Sequence, residues 1–555
     1  MAQGTEENRP HHETGHHQKD LMDLVKGNGP WQWMVCAVVL AVNFPDGANN
    51  MSIAFMAPNV DHWCARPPGI NMTVEQWKEI ALPPNDPHCS RYRYINISLA
   101  SENSSSSRET VPCESWEYDH SIYASSIVSQ WNLVCDRAWL VSVAKSIFAA
   151  GYFLSCTLFA YLTDKFGRKP LILACNILAI VSGISCIFST SFHMFAISRF
   201  FVAAGLTGCD HAASVLMIEI VSPKYRAPYH VITGMAWLAG VCHLPLIALW
   251  LRNWIYIKIA IVLPSVFILS IWWLLPESPR WLLAHGKTEE SLKILSKAAK
   301  TNGLKISDVK LREMVLSLKE PDVDEKPRTN CLQLFQSEIR MRTLLIWYIW
   351  VVTAFVFYGI AYNTNELAGD PFVNFTIFNL IDVPASLTIL CYKGRRKPLA
   401  ACLACAGVAC LLVYPIPADL MWLRTAVSLM GKFCISATFT VLGLFTTEIF
   451  PTILRITGLG SASAVARIGA ILAPFVRELG RANHPVFPQI LFGVLSVSAG
   501  GLALLLPETS NRSVPDTVRE AAQISRKKDS EENPEKTWML KDFNDGSESE
   551  DLVFD

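Results

Sequence analysis

Apolar residues in this chain fall in long runs separated by short polar turns. Twelve runs suit a bilayer crossing, at about 20 residues per helix. They cover residues 31–57, 138–161, 170–190, 194–218, 228–250, 254–275, 342–363, 371–391, 398–416, 420–446, 456–477 and 485–506. A soluble core does not hold so many, so the pattern predicts an all-α integral membrane protein with twelve transmembrane helices. Two long polar stretches interrupt the rhythm, 58–137 after the first run and 276–341 between the sixth and seventh. The second is helix-periodic, as in Glu289-Glu290-Ser291-Leu292-Lys293-Ile294-Leu295, and predicts short amphipathic helices under the bundle. The first 30 residues and the segment 507–555 are polar and predict unstructured tails. His11-His12 and His16-His17 read as part of the first tail and not as a metal site.

The polar turns also repeat. Gly167-Arg168-Lys169-Pro170 returns as Gly394-Arg395-Arg396-Lys397-Pro398. Glu219 through Arg226 returns as Glu448 through Arg455, and Pro276-Glu277-Ser278 as Pro507-Glu508-Thr509. The offsets are 227, 229 and 231 residues, in one order. A chain duplicated at that period predicts two six-helix pseudo-repeats, 31–275 and 342–506, as in a secondary transporter built of parallel repeats.

Basic residues orient the spans. Lys165, Arg168 and Lys169 follow the second run, Lys224 and Arg226 the fourth, and Lys393, Arg395, Arg396 and Lys397 the eighth. These turns share one side if both termini and the 276–341 loop are cytoplasmic; Arg252 and Lys258 dissent mildly. No cleavable signal peptide is visible, and the first run is expected to serve as its own insertion signal. The loop 58–137 then lies outside. It carries Cys64, Cys89, Cys113 and Cys135 and three sequons at Asn71, Asn96 and Asn103. An even cysteine count with sequons predicts a disulfide-bonded, glycosylated ectodomain, with three pairings open. Cys402-Leu403-Ala404-Cys405 lies in a span and reads as packing, not redox chemistry.

Composition narrows the classes. The chain is 51% hydrophobic and 17% charged with zero formal net charge, which argues against nucleic-acid binding. No nucleophile elbow or phosphate-binding Gly-Lys-Ser/Thr loop appears, so neither an enzyme nor an ATP-driven pump is expected, and no cofactor or metal.

Several of these motifs resemble the major facilitator superfamily, and within it the organic cation, anion and carnitine transporter family, solute carrier family 22. Asp164-Lys165-Phe166-Gly167-Arg168-Lys169 is similar to the loop between helices 2 and 3 of the superfamily. Ala57-Pro58 with Asp61-His62-Trp63-Cys64, Ser129 through Cys135, and Pro276-Glu277-Ser278-Pro279-Arg280-Trp281-Leu282 resemble the family's ectodomain entry, ectodomain exit and first-half closure. The resemblance covers about 31–515. It implies two six-helix bundles around a central cavity, alternating access, and a plasma-membrane location. Asp164, Gly167, Arg168, Glu219, Arg226, Glu277, Arg280, Glu448 and Arg455 would then be conformational latches.

Ionisable residues within spans cost about 2.5–3.5 kcal/mol each on insertion scales and usually face a cavity or a partner. Here they are Asp46, Lys145, Asp210, His211, His243, Asp382, Lys432 and Arg467, with Arg199 near an interface. In the resembling family the position of Arg467 is basic in anion and carnitine carriers. Two roles stay open for Arg467: binding a substrate carboxylate, or neutralising Asp382 as an internal ion pair. Asp382 and Lys432 match charged family positions, but Ser386 stands where the anion branch often carries Lys. Phe355, Tyr358 and Tyr362, with Trp347 and Tyr348, offer aromatic faces to a cationic group. The expected function is secondary or facilitative transport of a small organic ion, a zwitterion or anion ahead of a cation. The expected partners are that ion, membrane lipid, and a coupling ion or counter-substrate. A potential-driven cation carrier and a non-transporting ligand sensor on the same fold are the alternatives.

Overall fold

The computed structural model of the chain describes residues 21–69, 72–93, 109–317, 331–337, 339–362, 369–388, 394–451, 454–482, 484 and 486–509. The sequon residues Asn71, Asn96 and Asn103, and most of both polar tails, lie outside this set.

The apolar runs form helices. In the first half these are α1 (Pro30–Met51), α2 (Trp139–Phe166), α3 (Arg168–Ile187), α4 (Phe192–Ile220), α5 (Arg226–Cys242, continued as Leu244–Leu251) and α6 (Trp254–Ile271). In the second they are α7 (Arg340–Tyr362), α8 (Pro371–Leu380, continued as Asp382–Leu387), α9 (Arg396–Val413), α10 (Met421–Ile449), α11 (Arg455–Ala482) and α12 (Phe487–Ala503). Local chemistry starts and stops them. Pro30 sits in the first turn of α1, where a missing N–H costs nothing. The Ser191 and Asn253 side chains cap α4 and α6 by accepting from Met194 N and Ile255 N. Asp370 caps α8 by accepting from Phe372 N and Val373 N. Pro245 removes a backbone donor where α5 is interrupted at His243.

These helices differ in quality as membrane spans. Among the described residues eight are long and apolar enough to cross a membrane: α2, α3, α4, α5, α7, α9, α10 and α11. α6 and α12 are apolar but shorter. α1 carries Asn43, Asp46, Asn49 and Asn50 in its last turns, and α8 is broken at Ile381.

Each half has its own core. Ile346, Ile349, Leu403, Ile435, Phe445 and Ala466 pack together in the second. Val35, Val39, Ile172, Leu216 and Ile268 do so in the first. α1 and α5 cross at two glycines. A Cβ on Gly47 would strike the Trp237 carbonyl, and one on Gly240 the Phe44 carbonyl. Small residues permit such backbone approach in membrane helices.

The 276–341 loop supplies helices at Pro279–Ala284, Thr288–Thr301 and Asp308–Ser317. Buried Asn302 ties them to the start of α1. It accepts from Trp31 N (2.9 Å) and donates to Val25 O (2.7 Å) and Gln32 Oε1 (3.0 Å).

Outside the bundle the loop 58–137 adds structure the hydrophobic pattern did not predict. Two antiparallel ribbons form: β1 (His62–Cys64) pairs with β4 (Trp116–Tyr118), and β2 (Ser90–Tyr92) with β3 (Thr110–Pro112). The disulfides are Cys64–Cys113 and Cys89–Cys135. They enclose a small core around Trp63, Trp77 and Leu82. His62 lies near Cys89 and Cys135, but those thiols are bonded to each other and offer no metal site. Glu117 accepts from Arg66 N (3.0 Å), Arg66 Nε (3.1 Å) and Trp63 Nε1 (3.1 Å). Burial alone would raise this carboxyl, but the hydrogen bonds outweigh it and hold its pKa below the ordinary value.

A group with a depressed folded pKa adds stability above its unfolded pKa, near 4.3 for Glu, and loses it as pH falls through the folded value. Glu117→Gln is therefore expected to destabilise the 58–137 loop at neutral pH by about 2 kcal/mol, the scale of hydrogen bonds to a charged group. The gap from wild type should close in acid. Tryptophan-fluorescence melts across that pH range check it; a gap independent of pH would contradict the ionised role.

Candidate functional site

The two halves join at the end that carries the 58–137 loop. Phe55, in the short helix Ile53–Met56 after α1, contacts Phe372 (ring centroids 5.6 Å) and Phe375 (4.8 Å) of α8. Tyr123 contacts Phe372 at 5.8 Å. In the first turns of α2, Ser142 donates to Glu478 Oε1 (2.9 Å) and Ser146 to Ile471 O (2.6 Å), both on the last turns of α11. Lys145 lies 4.7 Å from the Tyr362 ring.

At the opposite end the charged motifs form two matching clusters, each inside its own half. In the first, Glu277 accepts from Arg168 N (2.9 Å) and Lys169 N (3.2 Å), at the start of α3. Arg168 binds Glu219 (2.8 Å) and Asp164 (3.0 Å). Arg280 Nε donates to Glu219 O (3.1 Å) and Trp281 Nε1 to Asp164 O (2.7 Å). In the second, Glu508 accepts from Arg395 N (2.8 Å) and Arg396 N (3.2 Å), and Arg395 binds Glu448 (3.3 Å). A carboxylate on the first N–H groups of a helix satisfies orphan donors and complements the dipole. Gly167 (φ +97°) and Gly394 (φ +149°) make the turns. Arg226 and Arg455 open α5 and α11. Among the described residues these clusters are therefore staples within each half, and the named bonds between halves lie at the other end.

Polar side chains meet in the middle of the seam. Arg467 of α11 stands over the Tyr152 ring of α2 at 5.2 Å and reaches the Cys156 thiol. Its Nε is buried with no hydrogen-bond partner, and among the described residues no carboxylate lies within ion-pair distance of it. Tyr152 donates to Asp46 Oδ1 (2.7 Å) and accepts from Asn50 Nδ2 (2.9 Å). Cys156 Sγ is 3.4 Å from His211 Nε2, and His211 Nδ1 is 3.6 Å from Asp210. Asp210 and His211 keep 28% and 34% of their side-chain surface exposed.

Asp382 is occupied elsewhere. It binds Lys432 Nζ at 3.1 Å and accepts from Ser436 Oγ at 2.6 Å. Lys432 is fully buried and sits 3.5 Å from the Phe357 ring centroid. The expected alternative, Arg467 neutralising Asp382, is not what the geometry holds: Lys432 takes that role.

The α7 aromatics divide. Tyr358 and Tyr362 pair at 5.8 Å and face the centre. Phe355 instead packs on Phe492 (5.2 Å) in the second-half core, so it is a packing residue and not a cavity face. Trp347 and Tyr348 bond Ser461 (3.2 Å) and Ser498 (2.7 Å).

Two participants were not singled out from sequence. Lys258 reads as a loop charge but is fully buried, donating to Asn49 Oδ1 at 2.6 Å. Tyr152 had a signal: Ser142, Lys145, Ser146, Tyr152 and Cys156 recur at helical spacing, a polar stripe on an otherwise apolar span.

Comparison with known proteins agrees along most of the chain. The family described as "Sugar (and other) transporter" matches residues 97–519. An organic cation transporter protein of Drosophila melanogaster is 33% identical, over 91% of this chain and 95% of its own. Organic anion transporter 3 of Sus scrofa is 33% identical, covering 93% and 96%. Organic cation/carnitine transporter 2 of Homo sapiens is 31% identical, covering 93% and 95%. Among solved structures, the inward-open xylose transporter XylE from E. coli superposes with a TM-score of 0.58 at 15% identity, over 89% of this chain and 99% of that one. Its partially occluded inward-open form gives 0.56 at 16% identity, over 87% and 99%. These last two speak to the fold alone.

Gly167→Val tests the first cluster. The new Cβ would lie 2.6 Å from Glu277 Oε2 at a φ that side chains rarely adopt. Uptake is expected to fall at least about tenfold with surface expression largely kept, measured by biotinylation beside uptake. Wild-type transport by the variant would remove this turn from the mechanism.

Proposed function

The chain belongs to the organic cation and anion transporter family, solute carrier family 22, of the major facilitator superfamily; it is a small-molecule transporter working by alternating access, and on that premise we propose that its substrate is a small organic anion or a carnitine-like zwitterion. The observation that carries this reading is the Arg467 guanidinium at mid-seam, whose Nε is unsatisfied and which, among the described residues, has no carboxylate within ion-pair distance. A guanidinium stays charged and binds carboxylates through paired N–H donors. Asp382 is matched by Lys432, so Arg467 is the second-half seam charge that remains to be met. Lys145, Arg199 and Lys258 add buried positive charge in the first half. In low dielectric such charge attracts an anion far more strongly than in water.

The zwitterion version adds Tyr358 and Tyr362. Their paired rings offer a face to a quaternary ammonium group. Asp382 is a poorer ammonium partner than the sequence suggests, because Lys432 and Ser436 already hold it. A purely cationic substrate would face Arg467 without compensation.

We also propose the finer architecture. α1, α6, α8 and α12 complete twelve spans, in bundles 31–275 and 342–506. Both termini and the 276–341 loop are cytoplasmic, the ectodomain 58–137 is glycosylated at Asn71, Asn96 and Asn103, and the protein resides in the plasma membrane. The membrane potential opposes entry of a lone anion by about 2.3 kcal/mol per charge per 100 mV, so uptake calls for a coupling ion or counter-substrate.

Arg467→Asp decides the substrate reading. Anion or zwitterion uptake is expected to fall at least about tenfold, as loss of a charge-assisted bond of about 1.5–3 kcal/mol implies. Uptake of a simple cation should persist or rise. A surface-expressed variant with an unchanged substrate profile would falsify the role. Topology is checked separately. Glycosidase should shift the wild type on a gel, and the triple change Asn71→Gln, Asn96→Gln, Asn103→Gln should abolish the shift; an unshifted wild type would sink the outside placement.

A further inference from the structure

Asp46 is a carboxylate of the central cluster to which the substrate reading gives no part. It is 3% exposed, in the last turns of α1. Among the described residues no cation lies within ion-pair distance of it. Its named donor is the neutral Tyr152 phenol, at 2.7 Å, and Tyr152 is itself held by Asn50. Charged groups reach it from two elements packed around it: Asp210 and His211 of α4, and Arg467 of α11. Tyr358 of α7 faces Tyr152 from the second half. A buried carboxyl with one neutral donor is stable when protonated, and ionised only while nearby positive charge supports it.

That support is the charge the substrate would occupy. Arg467 lies over the ring of the same Tyr152 whose hydroxyl holds Asp46. A substrate carboxylate on Arg467 cancels its field at Asp46, and the protonated form of Asp46 becomes the favoured one. By linkage the effect is reciprocal: a proton on Asp46 strengthens binding of the anion at Arg467. Resting on the anion reading above, we propose that Asp46 is a proton-binding site that couples organic-anion transport to proton movement in the same direction. One proton carried with one monoanion makes the cycle electroneutral, which removes the opposition of the membrane potential. Tyr152 acts as the positioning residue, holding Asp46 through its hydroxyl and Arg467 over its ring.

The test uses the purified full chain in proteoliposomes with entrapped pyranine, and labelled hippurate as the monoanion probe. Counterflow of hippurate at equal pH reads anion transport alone. An inward acid gradient should then drive hippurate accumulation, up to about tenfold per pH unit, the limit for one proton per anion. Adding hippurate without a gradient should acidify the lumen. Asp46→Asn should lose both the gradient drive and the acidification while counterflow persists at a reduced rate. Tyr152→Phe should weaken the drive several-fold. Counterflow with no gradient drive and no acidification in the wild type overturns the coupling and leaves the anion reading intact. Wild-type proton movement retained by Asp46→Asn also overturns it. Absence of counterflow sinks the anion reading and this proposal with it.

Discussion

Charge balance in a low-dielectric interior is the constraint on which this structure turns, and Lys432 with Asp382 is where it acts. Each would be costly alone in the bilayer, and breaking such a pair leaves an uncompensated buried charge. Lys432 is fully enclosed, stacked near Phe357, and takes Asp382 together with Ser436. The second half thereby settles its own acid. Arg467 is left against Tyr152 and Cys156 with an unsatisfied Nε. Had Arg467 taken Asp382, the seam would hold a closed internal pair and Lys432 would need another partner. The identity of one ion pair thus separates architecture from recognition.

Around that centre, duplication supplies stiffness. The two charged clusters repeat one design: a glycine turn, a glutamate on the next two backbone N–H groups, and an arginine–glutamate pair. Glu277 and Glu508 tie the closing segment of each half back to its third helix. The glycine contact of Gly47 and Gly240 locks α1 to α5 in the same way by close approach. Stiff halves let a seam open at one end while closing at the other, because motion is confined to contacts between them. Those contacts include an apolar cluster that joins Phe55, Tyr123 and Val241 to Ala361, Phe372 and Phe375, the packing of α2 on α11, and hydrogen bonds from Ser142 and Ser146.

Much of this was legible in the sequence, and the limits have physical causes. Apolar runs and the three repeated motifs foretell helices and two halves because both depend on local periodicity and on turns that need glycine. The charges in spans were found because an ionisable residue in lipid is conspicuous. Their partners were not, since pairing is a contact made in three dimensions. Sequence proximity carries no information on whether Asp382 meets Arg467 or Lys432. Lys258 was misread because it lies only four residues into α6 and resembles an interfacial lysine. Phe355 was grouped with Tyr358 and Tyr362, although Tyr358 and Tyr362 share a face at i and i+4 and Phe355 turns towards α12. The disulfide pairing and the ribbons of the ectodomain depend on long-range register that short polar stretches do not encode.

The central claim is that the Arg467 charge, unlike the Lys432 charge, is available to a ligand. Equilibrium binding tests it without any transport step. A ligand that binds only the folded protein raises its stability by RT ln(1 + [L]/Kd). Thermal melts of purified wild type, Arg467→Gln and Lys432→Gln, each titrated with hippurate, give the comparison. Wild type should gain stability with hippurate. Arg467→Gln should melt near wild type without ligand and gain nothing from it. Lys432→Gln should melt lower but keep the ligand-dependent rise. Equal stabilisation of wild type and Arg467→Gln by hippurate would contradict the account.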